Sequence, residues 1–144
     1  MECETLGQVL VTAKIESLRD LFNVEQGMLS ADQVRTVEVT DALVDTGATM
    51  LSIPSRYIRQ LGLKRYRMGR VRTSAGIVER GMYEAIRLTV QGRFCTVDVC
   101  QVPDDCSVLI GQIPLEGLDL VVDTVGRKLI GNPAHGGEHM AENL

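Results

Sequence analysis

The stretch Ala42-Leu43-Val44-Asp45-Thr46-Gly47-Ala48-Thr49 decides how this chain is read. Three apolar residues end a strand, Asp45 follows, and Thr46-Gly47 turns the chain before the small Ala48. The pattern delivers one carboxylate into a tight loop. Two such carboxylates a few ångström apart share one proton, so that one can take a proton from water while the other donates to a carbonyl oxygen. The chain offers no second copy of the loop. Asp123-Thr124-Val125-Gly126 carries an extra residue, follows Leu118-Asp119-Leu120-Val121-Val122, and reads as a turn.

Further along, Val108-Leu109-Ile110-Gly111 supplies what a second strand needs to run close beside that loop: apolar residues, a glycine, and then a short helix. Together the two segments resemble the retropepsin-like aspartic proteases, the single-domain family of the retroviral proteases and small bacterial relatives, over roughly residues 5 to 132. The resemblance implies that Asp45 is catalytic. It also implies that Thr46 hydrogen-bonds across a dimer to lock both loops, and that Gly47 permits a turn that side chains would obstruct. Leu109, Ile110 and Gly111 take the place of the element that supports the loop. With one Asp45 per chain, the expected enzyme is a symmetric homodimer.

The chain departs from the retroviral pattern at paired positions. Thr49 stands where an acidic residue is usual, and Gln112 and Ile113 stand where Arg and Asn or Asp follow the downstream glycine. Both sides of an ion-pair network are replaced together, which reads as a consistent exchange.

Size and composition agree with one lobe. A chain of 144 residues suits a single domain and is too short for the two-lobed pepsin arrangement. Two Phe, three Tyr and no Trp leave the core to aliphatic residues, whose branched members favour strands. A net charge of −4 with interleaved signs gives no basic face for nucleic acid, and no apolar run reaches membrane-span length. Met1-Glu2-Cys3-Glu4 carries acids where a signal peptide carries bases, so a cytoplasmic location is expected. Cys3, Cys95, Cys100 and Cys106 show no C-x-x-C spacing and read as reduced structural thiols.

Local signals place the elements. Leu6 to Ile15 reads as a strand, and Ser17 caps a short helical insert over about residues 17–27 that Gly27 stops. Val34 to Val44 is a strand with Val37 and Val39 on one face, and it delivers Asp45. Leu51-Ser52-Ile53 is extended, and Pro54 opens a helix from Ser55 to Leu61 that Gly62 ends. Arg70 to Thr73 and Ile77 to Tyr83 form a hairpin with its tip at Ala75-Gly76. The resemblance makes this hairpin a substrate-covering flap, carried by Ser74, Ala75, Gly76 and Ile77. Ala85 to Val90 and Phe94 to Val99 form a second hairpin through Gln91-Gly92-Arg93. A short helix at Pro114 to Leu118 precedes closing strands at Leu120 to Val122 and Lys128 to Ile130; the first and last strands are the candidates for interleaving across a dimer.

Residues 133–144 read as a polar, solvated tail. His135, Glu138 and His139 suggest a metal site only if the tail is helical, which Gly136-Gly137 opposes, so no metal site is assigned. The expected fold is all-β: a closed, barrel-like sheet of acid-protease type with one to three short helices, occupying residues 1–132. The expected function is cofactor-free peptide-bond hydrolysis of a peptide or protein substrate. Two other readings compete: a weak or inactive dimeric module that holds a peptide or partner protein, and a metal-binding protein built on the tail histidines and cysteines.

Overall fold

In a computed structural model, which describes residues 8–142, a two-residue strand holds the centre of the architecture. This is β7 (Leu109–Ile110), inserted between β2 (Thr36–Val44), with which it runs parallel, and β3 (Leu51–Pro54), with which it runs antiparallel. The strand entering the Asp45 loop and the strand leaving it are therefore both hydrogen-bonded to the same short segment.

From that centre the sheet closes. β1 (Val9–Ser17) pairs β2; β3 pairs β6 (Arg93–Val102) in parallel; β6 pairs β5 (Gly76–Val90); and β5 returns to β1 through Lys14↔Thr89 to Ser17↔Ile86. The result is a six-stranded mixed barrel, with β4 (Arg65–Thr73) attached outside it along β5. The fold is all-β, as expected from the sequence. Period-two patterning sets the faces: Val37 and Val39 are buried while Glu38 and Thr40 are exposed. Ile15, Leu51, Ile53, Ile86, Leu88, Val99 and Ile110 fill the interior.

Three short helices sit on this barrel. α1 (Leu18–Glu25) starts at Ser17, whose Oγ accepts from the Asp20 amide at 3.2 Å. Buried Asp20 forms a two-point ion pair with Arg35, at 2.8 and 2.9 Å, which ties the helix to the entry of β2. α2 (Ser55–Leu61) follows Pro54, which stands as its N-cap, buries Ile58 and Leu61, and ends at Gly62, whose φ of 65° is left-handed. α3 (Gln112–Leu118) follows Gly111 directly.

Several expectations are corrected. β5 is one 15-residue strand, not two, because an irregularity between Tyr83 and Ile86 bends it from the barrel wall into the outer hairpin. The hairpin tip is Ser74-Ala75, since Thr73 pairs Gly76, one residue earlier than read. β8 (Leu120–Asp123) and β9 (Lys128–Gly131) do not close the barrel but form a separate two-stranded ribbon, turned at Thr124-Val125-Gly126-Arg127. Cys3 and the Leu6 start of the first strand lie outside the described residues.

The tail is not simply solvated. After a 3-10 turn at Pro133–His135, the His135 ring is almost enclosed, with Nδ1 2.6 Å from Asp119 Oδ2 and Nε2 2.5 Å from Glu142 Oε1. The Met140 amide also donates to Asp119 Oδ2, and His139 Nε2 lies 2.9 Å from the Gly117 carbonyl. Buried Asp119 needs these partners, and the tail supplies them.

Candidate active site

Asp45 leaves β2 with its amide bonded to the Ile110 carbonyl at 2.9 Å, so β7 fixes its backbone. The Asp45 carboxylate accepts from the Gly47 amide at 3.0 Å, and the Ala48 amide donates to the Asp45 carbonyl at 3.1 Å. The side chain thus bonds its own backbone two residues on, which holds a short acid in one orientation. Asp45 is half-buried, while Thr46 and Gly47 are exposed. Gly47 is not among the residues with positive φ; its missing side chain leaves room beside the acid, since a Cβ there would lie 3.3 Å from Asp45 Oδ1.

The far side of the loop is clamped by α3. The amides of Gly111, Gln112 and Ile113 donate to the carbonyls of Met50, Ala48 and Thr49 at 3.0, 2.8 and 2.9 Å. The first turn of a helix has amides with no partner inside the helix, and here the loop uses them. Gly111 makes the approach possible. A Cβ on it would lie 2.5 Å from the Met50 carbonyl oxygen and 2.7 Å from that of Ala48, both backbone atoms. The exchanged positions Thr49, Gln112 and Ile113 therefore hold the loop through main-chain bonds.

Above the loop lies a cleft of about 430 Å³. Its floor is Asp45, Gly47, Ala48 and Leu109, and the β4–β5 hairpin contributes Val71, Arg72, Thr73, Ser74 and Arg80. The hairpin read as a flap thus shares a cavity with Asp45. Of the four flap positions read from sequence, Ser74 lines the cleft, whereas Ala75, Gly76 and Ile77 are exposed and do not line it. Leu109 lines the cleft; Ile110 is fully buried behind it. The sequence reading missed Arg72, Arg80, Ser52 and Cys100. The alternating arginines of Arg65-Tyr66-Arg67-Met68-Gly69-Arg70-Val71-Arg72 were the available signal for the first.

Among the described residues that line this cleft, Asp45 is the sole carboxylate. Cys100, also on its wall, has its thiol pushed up by burial, which makes it a poor nucleophile at neutral pH. His135 lines a larger cavity, of about 600 Å³, formed by α3, β8 and the tail without any residue of the Asp45 loop. Among the described residues, no group of three or more His, Cys, Asp or Glu is placed to hold a metal ion. Among them, too, no helix is long and apolar enough to cross a membrane.

One strand-delivered acid, a supporting apolar-apolar-Gly strand and a hairpin over the cleft define the class of the aspartic proteases of retroviral type. A sequence model of the gag-polyprotein putative aspartyl protease family matches residues 33–124, and the chain belongs to that family. The match runs from before β2 through β8 and so includes the Asp45 loop, the hairpin and Gly111. A search of curated proteins found no match.

Proposed function

We propose that this protein is an aspartic endopeptidase that works as a homodimer, each chain giving one Asp45 to a shared dyad. The observation that carries the reading is that, among the described residues, Asp45 stands as the sole carboxylate in a cleft roofed by its own chain's hairpin. Acid–base chemistry on an amide needs two proton-transferring groups at once, and the second has to come from another copy. Exposed Thr46, whose side chain makes no hydrogen bond among the described residues, is available to a partner loop. Among the described residues β9 pairs with β8 alone, and its other edge is offered for the interleaving of chain ends.

In this mechanism the ionised Asp45 takes a proton from the lytic water while the protonated Asp45 of the other chain polarises the scissile carbonyl. Water's oxygen adds to the carbonyl carbon, and the resulting tetrahedral species collapses as the amine leaves with a proton from the dyad. Gly47 fixes the carboxylate, and the hairpin excludes bulk water. No cofactor takes part. A cytoplasmic site of action fits the free thiols of Cys95 and Cys100.

The competing reading, a dimeric binding module without activity, draws on the exchanged residues Thr49, Gln112 and Ile113. Incubation with a complex peptide library, with cleavage sites read by mass spectrometry, separates the two. The wild type is expected to cleave. The Asp45→Asn chain is expected to remain folded and to lose at least about 100-fold, because an amide neither accepts nor shares the proton. Binding without cleavage by the wild type would favour the module, and cleavage by Asp45→Asn at the wild-type rate would overturn the catalytic assignment.

A further inference from the structure

The cleft carries charge of one sign apart from the acid at its floor. Among the described residues that line it with Asp45, Arg72, on β4, and Arg80, on β5, are the charged ones. Arg72 lies opposite Ile77 and Arg80 opposite Gly69, pairs of alternate parity, so the two side chains leave opposite faces of the hairpin: half-buried Arg80 shares the inner face with Val71 and Thr73, and Arg72 shares the exposed face with Arg70 and Ile77. Neither guanidinium is ion-paired to a carboxylate among the described residues. By contrast, Arg19, Arg35 and Arg87 each meet one at 3.0 Å or less.

The wider hairpin has the same character. β4 also bears Arg65, Arg67 and Arg70, while the acids of this arm are Glu79, opposite Arg70, and Glu84, which is already taken by Arg19 and the Lys64 amide. This basic arm projects from a chain whose net charge is −4. A guanidinium fork on the inner face of the hairpin over the cleft attracts carboxylates and repels ammonium groups.

We propose that the cleft selects peptides with Asp or Glu close to the scissile bond, and that Arg80 reads those acidic side chains. The inference rests on the peptide-cleft reading above and adds the substrate class to it. Arg80 acts as a specificity residue, apart from the proton transfers assigned to Asp45. In a two-fold dimer it is presented twice, so acids on either side of the bond are favoured.

The test uses fluorescent octapeptide libraries that are identical except for Glu, Gln or Lys fixed at one position in turn. Binding to the Asp45→Asn protein is read by anisotropy and cleavage by the wild type by mass spectrometry, at low and at high ionic strength. The Glu libraries are expected to exceed the Gln libraries by about 3- to 10-fold, and the Lys libraries by more, with the advantage shrinking as salt rises. Arg80→Glu should reverse the order. Arg72→Glu, on the outer face, changes the same charge and should alter the preference far less.

Equal binding of Glu and Gln libraries, an acid preference that survives Arg80→Glu, or one that Arg72→Glu removes equally, would overturn the inference. Cleavage by the wild type without acid preference would overturn it while leaving the protease reading in place. Acid-selective binding to Asp45→Asn without any wild-type cleavage would do the opposite.

Discussion

Ala48 shows how much one side chain can set at the residue scale. It lines the cleft beside Asp45, and its amide holds the loop, but it offers the acid no hydroxyl. A hydroxyl at that place can donate to the ionised dyad and favour it. Ala48→Thr should therefore move the acid limb of the pH–rate profile to lower pH without changing the fold, as measured by kcat/KM across pH; an unchanged profile would remove the hydroxyl from the argument. Gly111 makes the complementary point, because its importance lies in space. Its φ of −89° is ordinary, yet a methyl group there would press on backbone carbonyls that have nowhere to go. Gly111→Ala should cost about 1–3 kcal/mol in urea unfolding. It should also cut kcat/KM by on the order of 100-fold in the fraction that remains folded, since the loop it displaces carries Asp45. Wild-type stability and activity in that variant would mean that the loop is not clamped as described.

At the scale of elements, what was legible in the sequence is what local chemistry encodes. Ser17 as a cap, Gly62 as a stop and a hairpin turn at Gln91-Gly92 were readable because each signal acts within a few residues, although Arg93, read as part of that turn, already pairs with Val90. The same holds for Asp45 and its strand. The continuity of β5 was hidden by the irregularity after Tyr83, which breaks the alternation although the strand goes on. The detachment of β8 and β9 from the barrel depends on which strands compete for the edge of β1, and that is decided by pairings up to about 75 residues apart. The role of Arg80 was hidden for the same reason: it joins Asp45 only when the hairpin folds back over the loop. Docking of the tail was equally non-local, since buried Asp119 meets His135 across the whole β8–β9 ribbon.

For the whole molecule, that tail contact gives a pH dependence whose sign is fixed. The hydrogen bonds to Glu142 and Asp119 raise the His135 imidazole above its ordinary value, so its contribution is complete below about pH 6.5 and is lost as pH rises through the folded value. His135 holds the Asp119 carboxyl down to about 2. That contribution is present above about pH 4 and is lost as pH falls towards 2. Hydrogen-exchange protection factors over residues 133–142 should accordingly be highest between about pH 4 and 6.5 and fall on the alkaline side, and His135→Gln should abolish the change. Protection independent of pH would refute the ion-paired fastening. The central claim, however, is that two chains complete one site, and subunit mixing tests it most directly. When wild type and Asp45→Asn exchange at equal concentration, random pairing leaves about a quarter of the dimers with two acids, and a site with one acid lacks half of the proton transfers it needs. Activity per total dimer is predicted to fall to about a quarter of the pure wild-type value once exchange is complete. A value near one half would contradict the account, because it would mean that each chain carries a complete site of its own.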